Sequence, residues 1–193
     1  MPGATGRSGR EAGESRPGPA PSLNAEMLRD LARRYESAYN EHDVEGFLAC
    51  HTEDAVWETP LFYPDGIARG HNAIRSECER AWRALPDQRF KTQEVFISLG
   101  GLWAAHWWTG HGTLTGPIDP PGYRATNQPL DLTGVSVWEL REGRLSHVIE
   151  YFDALAPSRQ IGLAPRPGSV GERMGLFFQC VAAHRMRAKK PGP

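Results

Sequence analysis

The stretch LDLTGVSVWELREGRLSHVIEYFD, residues 130–153, decides the fold. Its halves, Leu130–Leu140 and Arg144–Asp153, are rich in β-branched and aromatic residues, and Arg141-Glu142-Gly143 separates them, so they read as an antiparallel hairpin. The second half carries an acid in an unusual place. Glu150 has Val148 and Ile149 before it and Tyr151 and Phe152 after it. Ionised carboxylates are costly to bury alone, so this acid is either a proton-transfer group with a raised pKa or one half of an ion pair. The 22 Lys and Arg residues of the chain could supply such a partner.

Turn length sets which residues share a face. A two-residue loop would place Glu142 at positive φ, whereas a three-residue loop asks this only of Gly143. The three-residue loop is therefore expected, with Leu140 paired to Arg144, Ser136 to Val148 and Gly134 to Glu150. A slip of one residue would set Glu150 beside Val135. In the expected register Glu150 faces the same way as Leu132, Gly134, Ser136, Trp138, Val148 and Phe152, and Gly134 leaves space beside the carboxylate. That is a largely apolar pocket wall with one acid and one hydroxyl.

Upstream, the chain runs helix, helix, strand, helix, and then strands. Residues 1–21 hold Gly, Pro, Arg, Ser and Glu with no large apolar residue after Met1, and read as a disordered leader. Ser22 is a candidate cap for a helix with Leu28, Leu31, Tyr35 and Ala38 on its inward face, and Asp43 caps a short second one. Asp54–Thr59 alternates as a strand, a loop spans Pro60–Gly70, and a helix from about His71 to Leu85 buries Ile74, Cys78, Ala81, Trp82 and Leu85 until Pro86 stops it. Phe90–Leu99 and Leu102–Thr113 form a hairpin about Gly100-Gly101, and a proline-rich loop covers Leu114–Pro129. After Pro157 comes a short helical turn. A last helix, about Val170 to Lys189, sets Met174, Phe177, Phe178 and Val181 at helical spacing. Helices followed by consecutive strands give an α+β fold in which a curved antiparallel sheet wraps over helices, plus an extra C-terminal helix.

Composition narrows the function classes. With 193 residues, 39% apolar and 23% charged, the chain suits one soluble globular domain. Its net charge of -1 gives no reason to expect nucleic acid or an anionic membrane as partner. The basic run Arg185, Arg187, Lys189 and Lys190 suits a solvated helix end. No apolar run reaches membrane-spanning length and no signal peptide is evident, so a cytoplasmic protein is expected. Cys50, Cys78 and Cys180 make neither a disulfide framework nor a zinc knuckle, and no His-rich ligand pattern stands out, so no metal is expected.

Five of the six tryptophans, Trp57, Trp103, Trp107, Trp108 and Trp138, fall on strands, where they either line a pocket for a flat ligand or pack the sheet. Along WAAHWWTGH, residues 103–111, His106 and Trp108 face one way and Trp107 and His111 the other. Whichever of His106 and His111 enters the pocket could polarise a carbonyl or exchange a proton with Glu150. Glu58, just before Pro60, has the look of a rim acid.

Several stretches, in this order and spacing, resemble one family: YNEHDVEGF and HTEDAVWETP (39–47 and 51–60), ARGHNAI (68–74), GTLTG with PPGYR (112–116 and 120–124), and REGRLSHVIEYFD with SRQIGL (141–153 and 158–163). From about Leu28 to Leu163 the chain is similar to the SnoaL-like polyketide cyclases, which share a cone-shaped fold with ketosteroid isomerase, scytalone dehydratase and nuclear transport factor two. The resemblance implies a cone with an internal cavity over residues 22–165, followed by the helix and basic tail of 166–193. It places the family's proton-shuttling acid at Glu150. It also shows departures. Ser136 stands where known cyclases carry a cavity histidine and where ketosteroid isomerase has its protonated acid. Leu114 replaces another histidine, Thr59 takes the place of the isomerase base, and Tyr35 corresponds to the isomerase's oxyanion tyrosine.

The expectation is a cyclase or isomerase of secondary metabolism, closing a ring in a polyketide-like substrate by general acid–base catalysis with no cofactor, and forming a homodimer. Its catalytic candidates are Glu150, Tyr35, Ser136, His106 and His111, and its substrate-binding candidates Trp57, Trp108, Trp138, Phe152 and Gly134. Epoxide opening or spiroketal formation is the nearest alternative chemistry. A non-catalytic ligand-binding or dimerisation module is the alternative of another class.

Overall fold

A computed structural model of the chain describes residues 24–59, 65–100 and 102–188. The leader at 1–21, the candidate cap Ser22, and Lys189 and Lys190 lie outside them. Helix α1, Ala25–Asn40, turns Leu28, Leu31, Ala32, Tyr35 and Ala38 inward. Its cap is Asn24, whose side-chain oxygen accepts the Met27 N–H at 2.8 Å. Asn24→Ala should lower stability by about 1 kcal/mol, read as a lower urea midpoint with an unchanged slope. Asp43 caps α2, Val44–Ala49, by accepting the Gly46 N–H at 2.9 Å.

Strand β1, His51–Glu58, starts three residues before the expected Asp54. Part of the expected Pro60–Gly70 loop is a short strand, β2, Ile67–Arg69, antiparallel to β1. Helix α3, Gly70–Ala84, leads into β3, Arg89–Ile97, β4, Trp103–Thr113, β5, Pro129–Arg141, and β6, Arg144–Phe152. Helices α4, Leu155–Gln160, and α5, Val170–Ala188, complete the order. Among the described residues no helix is long and apolar enough to cross a membrane.

The architecture is α+β, but the expected antiparallel sheet curved into a cone is corrected. Six strands form one open sheet, neither closed nor strongly curled, in the order β2-β1-β6-β5-β4-β3. The sheet is mixed, because β1 runs parallel to β6. That pairing follows from connectivity: β2, α3 and the strands β3 to β5 separate β1 from β6, so nothing forces an antiparallel return. One sheet face carries α1, α2 and α3, and the main core lies between. A smaller cluster of Ala84, Leu85, Leu114, Leu130 and Ile161 closes one end.

The β5–β6 turn also departs from expectation. Arg141 pairs directly with Arg144, which leaves a two-residue turn with Glu142 at φ 54° and Gly143 at φ 75°. Two positive φ values give the hairpin turn whose twist matches that of its strands, and this match outweighs the strain at Glu142. Such a turn alone would have set Glu150 beside Val135. The register then shifts by one: Leu140 pairs with Leu145 but Glu139 with His147, so Ser146 is an extra residue in β6. Glu150 thus comes to lie opposite Ser136, and Phe152 opposite Gly134.

Candidate active site

Five strands, β1 and β3 to β6, and the two helices α1 and α3 enclose a cavity of about 130 Å³. Helix α1 contributes Tyr35 and Tyr39, α3 contributes Cys78 and Arg80, and the sheet contributes Trp57, Trp108, Glu150 and Phe152. Thr59, just beyond β1, and Ile118, from the β4–β5 loop, are also in the wall. The wall is aromatic and aliphatic with few polar groups, as in pockets that hold small organic molecules.

Glu150 is the chemical centre of this cavity. Part of its surface remains open, but it opens onto the cavity wall rather than the outer face. Burial raises its pKa from the usual carboxylate value to about 7, against the nearby donors of Ser136, Thr59 and Trp57, which favour the anion. Burial wins because the three donors are neutral. Among the described residues no guanidinium or ammonium pairs with it, so the ion-pair reading of this acid finds no support.

Ser136 links two of these groups. The Trp108 indole N–H donates to its oxygen at 2.8 Å, which turns the hydroxyl proton toward Glu150 Oε1 at 3.4 Å. With its proton committed to the acid, Ser136 orients Glu150 and is poorly placed to hold a substrate oxyanion. Tyr35 is better placed for that work. It is 2% exposed, and burial and the nearby Glu150 charge raise its pKa well above the ordinary phenol value, so its hydroxyl stays a donor.

The other candidates divide. His106 faces inward but is fully buried behind the cavity wall, packed 4.2 Å from the Trp138 ring, with Nε2 3.0 Å from Thr92 Oγ1. Burial lowers its pKa to about 3, so it is neutral. His111 is corrected: it lies on the outer face, exposed, 2.7 Å from Asp131 Oδ1. Odd-numbered residues of β4 point outward, and the sequence alone did not say which parity was inside. Trp57, Trp108 and Phe152 line the cavity. Trp138 is corrected to a core residue, 0% exposed and outside the cavity wall. Gly134 is also corrected. It opens no space at the carboxylate, because the Trp108 ring and Phe152 fill what its missing side chain leaves. Glu58, the expected rim acid, sits 2.8 Å from His147 Nε2, on the other side of the sheet from Glu150.

Thr59 and Arg80 were not chosen from the sequence as site residues. Thr59 could have been found by extending the alternation of Ala55 and Trp57 by one step. Arg80 could not: it pairs with Glu77 one turn earlier on α3, and its Nη1 reaches the Pro120 carbonyl at 3.2 Å, a contact that depends on the β4–β5 loop. Among the described residues, no cluster of three or more His, Cys, Asp or Glu is placed to hold a metal ion.

Comparison with known proteins gives the family and similar folds. The model of the SnoaL-like domain matches residues 32–148. TsrD from Streptomyces laurentii is similar in structure, with a TM-score of 0.63 at 21% identity over 72% of this chain and 98% of its own. A candidate SnoaL-like polyketide cyclase from Jannaschia sp. CCS1 superposes with a TM-score of 0.62 at 15% identity, covering 79% of this chain and 100% of its own. AclR from Streptomyces galilaeus, a candidate hydroxylase, gives 0.61 at 17% identity over 86% and 99%. A comparison with curated proteins gave no match.

Proposed function

This chain belongs to the SnoaL-like domain family, and from that premise we propose that it is a cyclase or isomerase acting on a small polyketide-like carbonyl compound through general acid–base catalysis by Glu150. The observation that carries the reading is an unpaired carboxyl with a pKa of about 7 facing an aromatic cavity. At neutral pH such a group is present in both protonation states, which suits it to take a proton and give it back.

In the proposed reaction Glu150 removes a proton from carbon next to a carbonyl. The resulting enolate attacks a second electrophilic carbon of the same molecule, or is reprotonated at a new position, and Glu150 returns the proton. Tyr35 donates to the oxygen on which charge develops. Trp57, Trp108 and Phe152 exclude water and hold a flexible substrate folded near the acid. The volume matters here, since about 130 Å³ encloses one ring while the rest of a longer substrate extends beyond it. A ring-opening reaction on an epoxide would use the same carboxyl as an acid first.

The test is a pH–rate profile on a panel of linear poly-β-carbonyl compounds. Turnover limited by the basic form of Glu150 should rise with pH through an apparent pKa near 7. Ser136 donates to the anion and lowers that pKa, so Ser136→Ala should move the midpoint upward and reduce turnover below it. Absence of turnover across the panel, or a midpoint that Ser136→Ala leaves in place, would count against Glu150 as the base.

A further inference from the structure

Among the described residues, two apolar surfaces have nothing against them. Helix α5 shows solvent Val170, Met174, Phe177, Phe178 and Val181, with both phenylalanines more than 60% exposed. These positions fall on one stripe of the helix, and α5 packs extensively on no other element. The second surface is the sheet face opposite the helices. The cross-strand row Trp107–Val135–Tyr151 runs over β4, β5 and β6, and the next row brings Phe96, Val137 and Ile149 beside it. Trp107 is 45% and Tyr151 61% exposed. Contiguous apolar patches of this kind are uncommon on surfaces that stay in water.

We infer that α5 of one copy lies across the outer sheet face of a second copy, with the exchange made in both directions. The dimensions agree: a 19-residue helix is roughly 28 Å long, and four neighbouring strands span roughly 15 Å, so the stripe crosses the whole apolar patch. Acids and bases both border the patch: Glu94, Asp131 and Glu139 share the outer face with Arg89, Lys91, His111 and His147, and Asp131 is already paired with His111, so charge does not choose the partner. The one acid of α5, Glu172, is turned back to the Gly168 N–H at 2.6 Å and to Arg159. Those contacts also tie the root of α5 to α4, and α4 is held on β5 by Gln160, which accepts the Asp131 N–H at 2.8 Å. With its root fixed there, α5 leaves its own sheet uncovered. Covering the exposed parts of these side chains in both contacts buries on the order of 1,500 Å², the size of a stable interface. The helix follows the family-matched residues 32–148.

Sedimentation of the full chain and two double variants tests the exchange. Phe177→Glu with Phe178→Glu spoils the helix, and Trp107→Thr with Tyr151→Thr spoils the sheet face while keeping β-forming residues; Tyr151→Thr alone serves if the pair misfolds by circular dichroism. The unaltered chain should be a dimer, and each variant should weaken dimerisation at least about 30-fold. Mixing the two variants should then restore a heterodimer, because the good helix of one meets the good sheet of the other. Neither sheet-on-sheet nor helix-on-helix pairing gives that recovery, and a parent chain that runs on into larger open assemblies instead of stopping at a dimer overturns the exchange in both directions. A monomeric parent chain overturns the inference, as does a parent chain found only on anionic phosphatidylglycerol vesicles. Loss in one variant alone points to sheet-on-sheet or helix-on-helix pairing and overturns it equally, and so does a mixture that stays monomeric.

Discussion

Glu150→Gln is expected to lower kcat by about 10²- to 10⁴-fold and yet make the protein more stable at alkaline pH. The amide keeps the shape of the acid and can still accept from Ser136, but it cannot carry a proton away from carbon. The stability gain follows from linkage. Burial raises the folded-state pKa of Glu150 from 4.5 to about 7, so the folded protein binds this proton more tightly than the unfolded chain. The stabilisation is fully present below pH 4.5 and is lost as pH rises through about 7. Glutamine is neutral throughout and escapes that loss, which amounts to the order of 3 kcal/mol by pH 8. Urea unfolding at pH 5 and pH 8 should show the variant's advantage growing between them. A purely structural Glu150 would lose stability on substitution, and a gap that does not widen with pH would show that the carboxyl is not held protonated by burial.

How much of this was legible in the sequence depends on the range of the interaction. The helices were readable from local spacing, because Leu28, Leu31 and Tyr35 repeat at helical intervals and bury one face. Glu150 stood out for the same reason: an acid between Val148, Ile149, Tyr151 and Phe152 has few places to go. The turn failed because propensity at Glu142 was weighed without the strand twist that rewards two positive φ angles. The bulge at Ser146 has no local mark at all, and only the two effects together put Glu150 opposite Ser136. The open, mixed sheet depended on β1 finding β6 across some ninety residues, a pairing that no short window displays. The hydrogen bond from Trp108 to Ser136 is equally non-local, joining two strands through side chains whose reach the sequence does not state.

Gly134→Ala should unfold or distort the same centre from the opposite direction. A methyl group there would stand 2.6 Å from Trp108 Cζ2, 2.8 Å from the Tyr151 carbonyl oxygen and 3.0 Å from Phe152 Cβ. The indole could swing aside, but the Tyr151 oxygen belongs to the backbone of β6 and moves only with the strand that carries Glu150. Overpacking of this kind costs about 1–3 kcal/mol, and the larger value is expected because two strands must separate. Displacing Trp108 also removes the N–H that fixes the Ser136 hydroxyl, so the pH–rate midpoint should rise as it does in Ser136→Ala. Thermal unfolding and the pH–rate profile therefore have to change together. Were the melting temperature to fall while the midpoint stayed near its original value, the indole would have kept its bond, and the role of Gly134 would reduce to strand spacing.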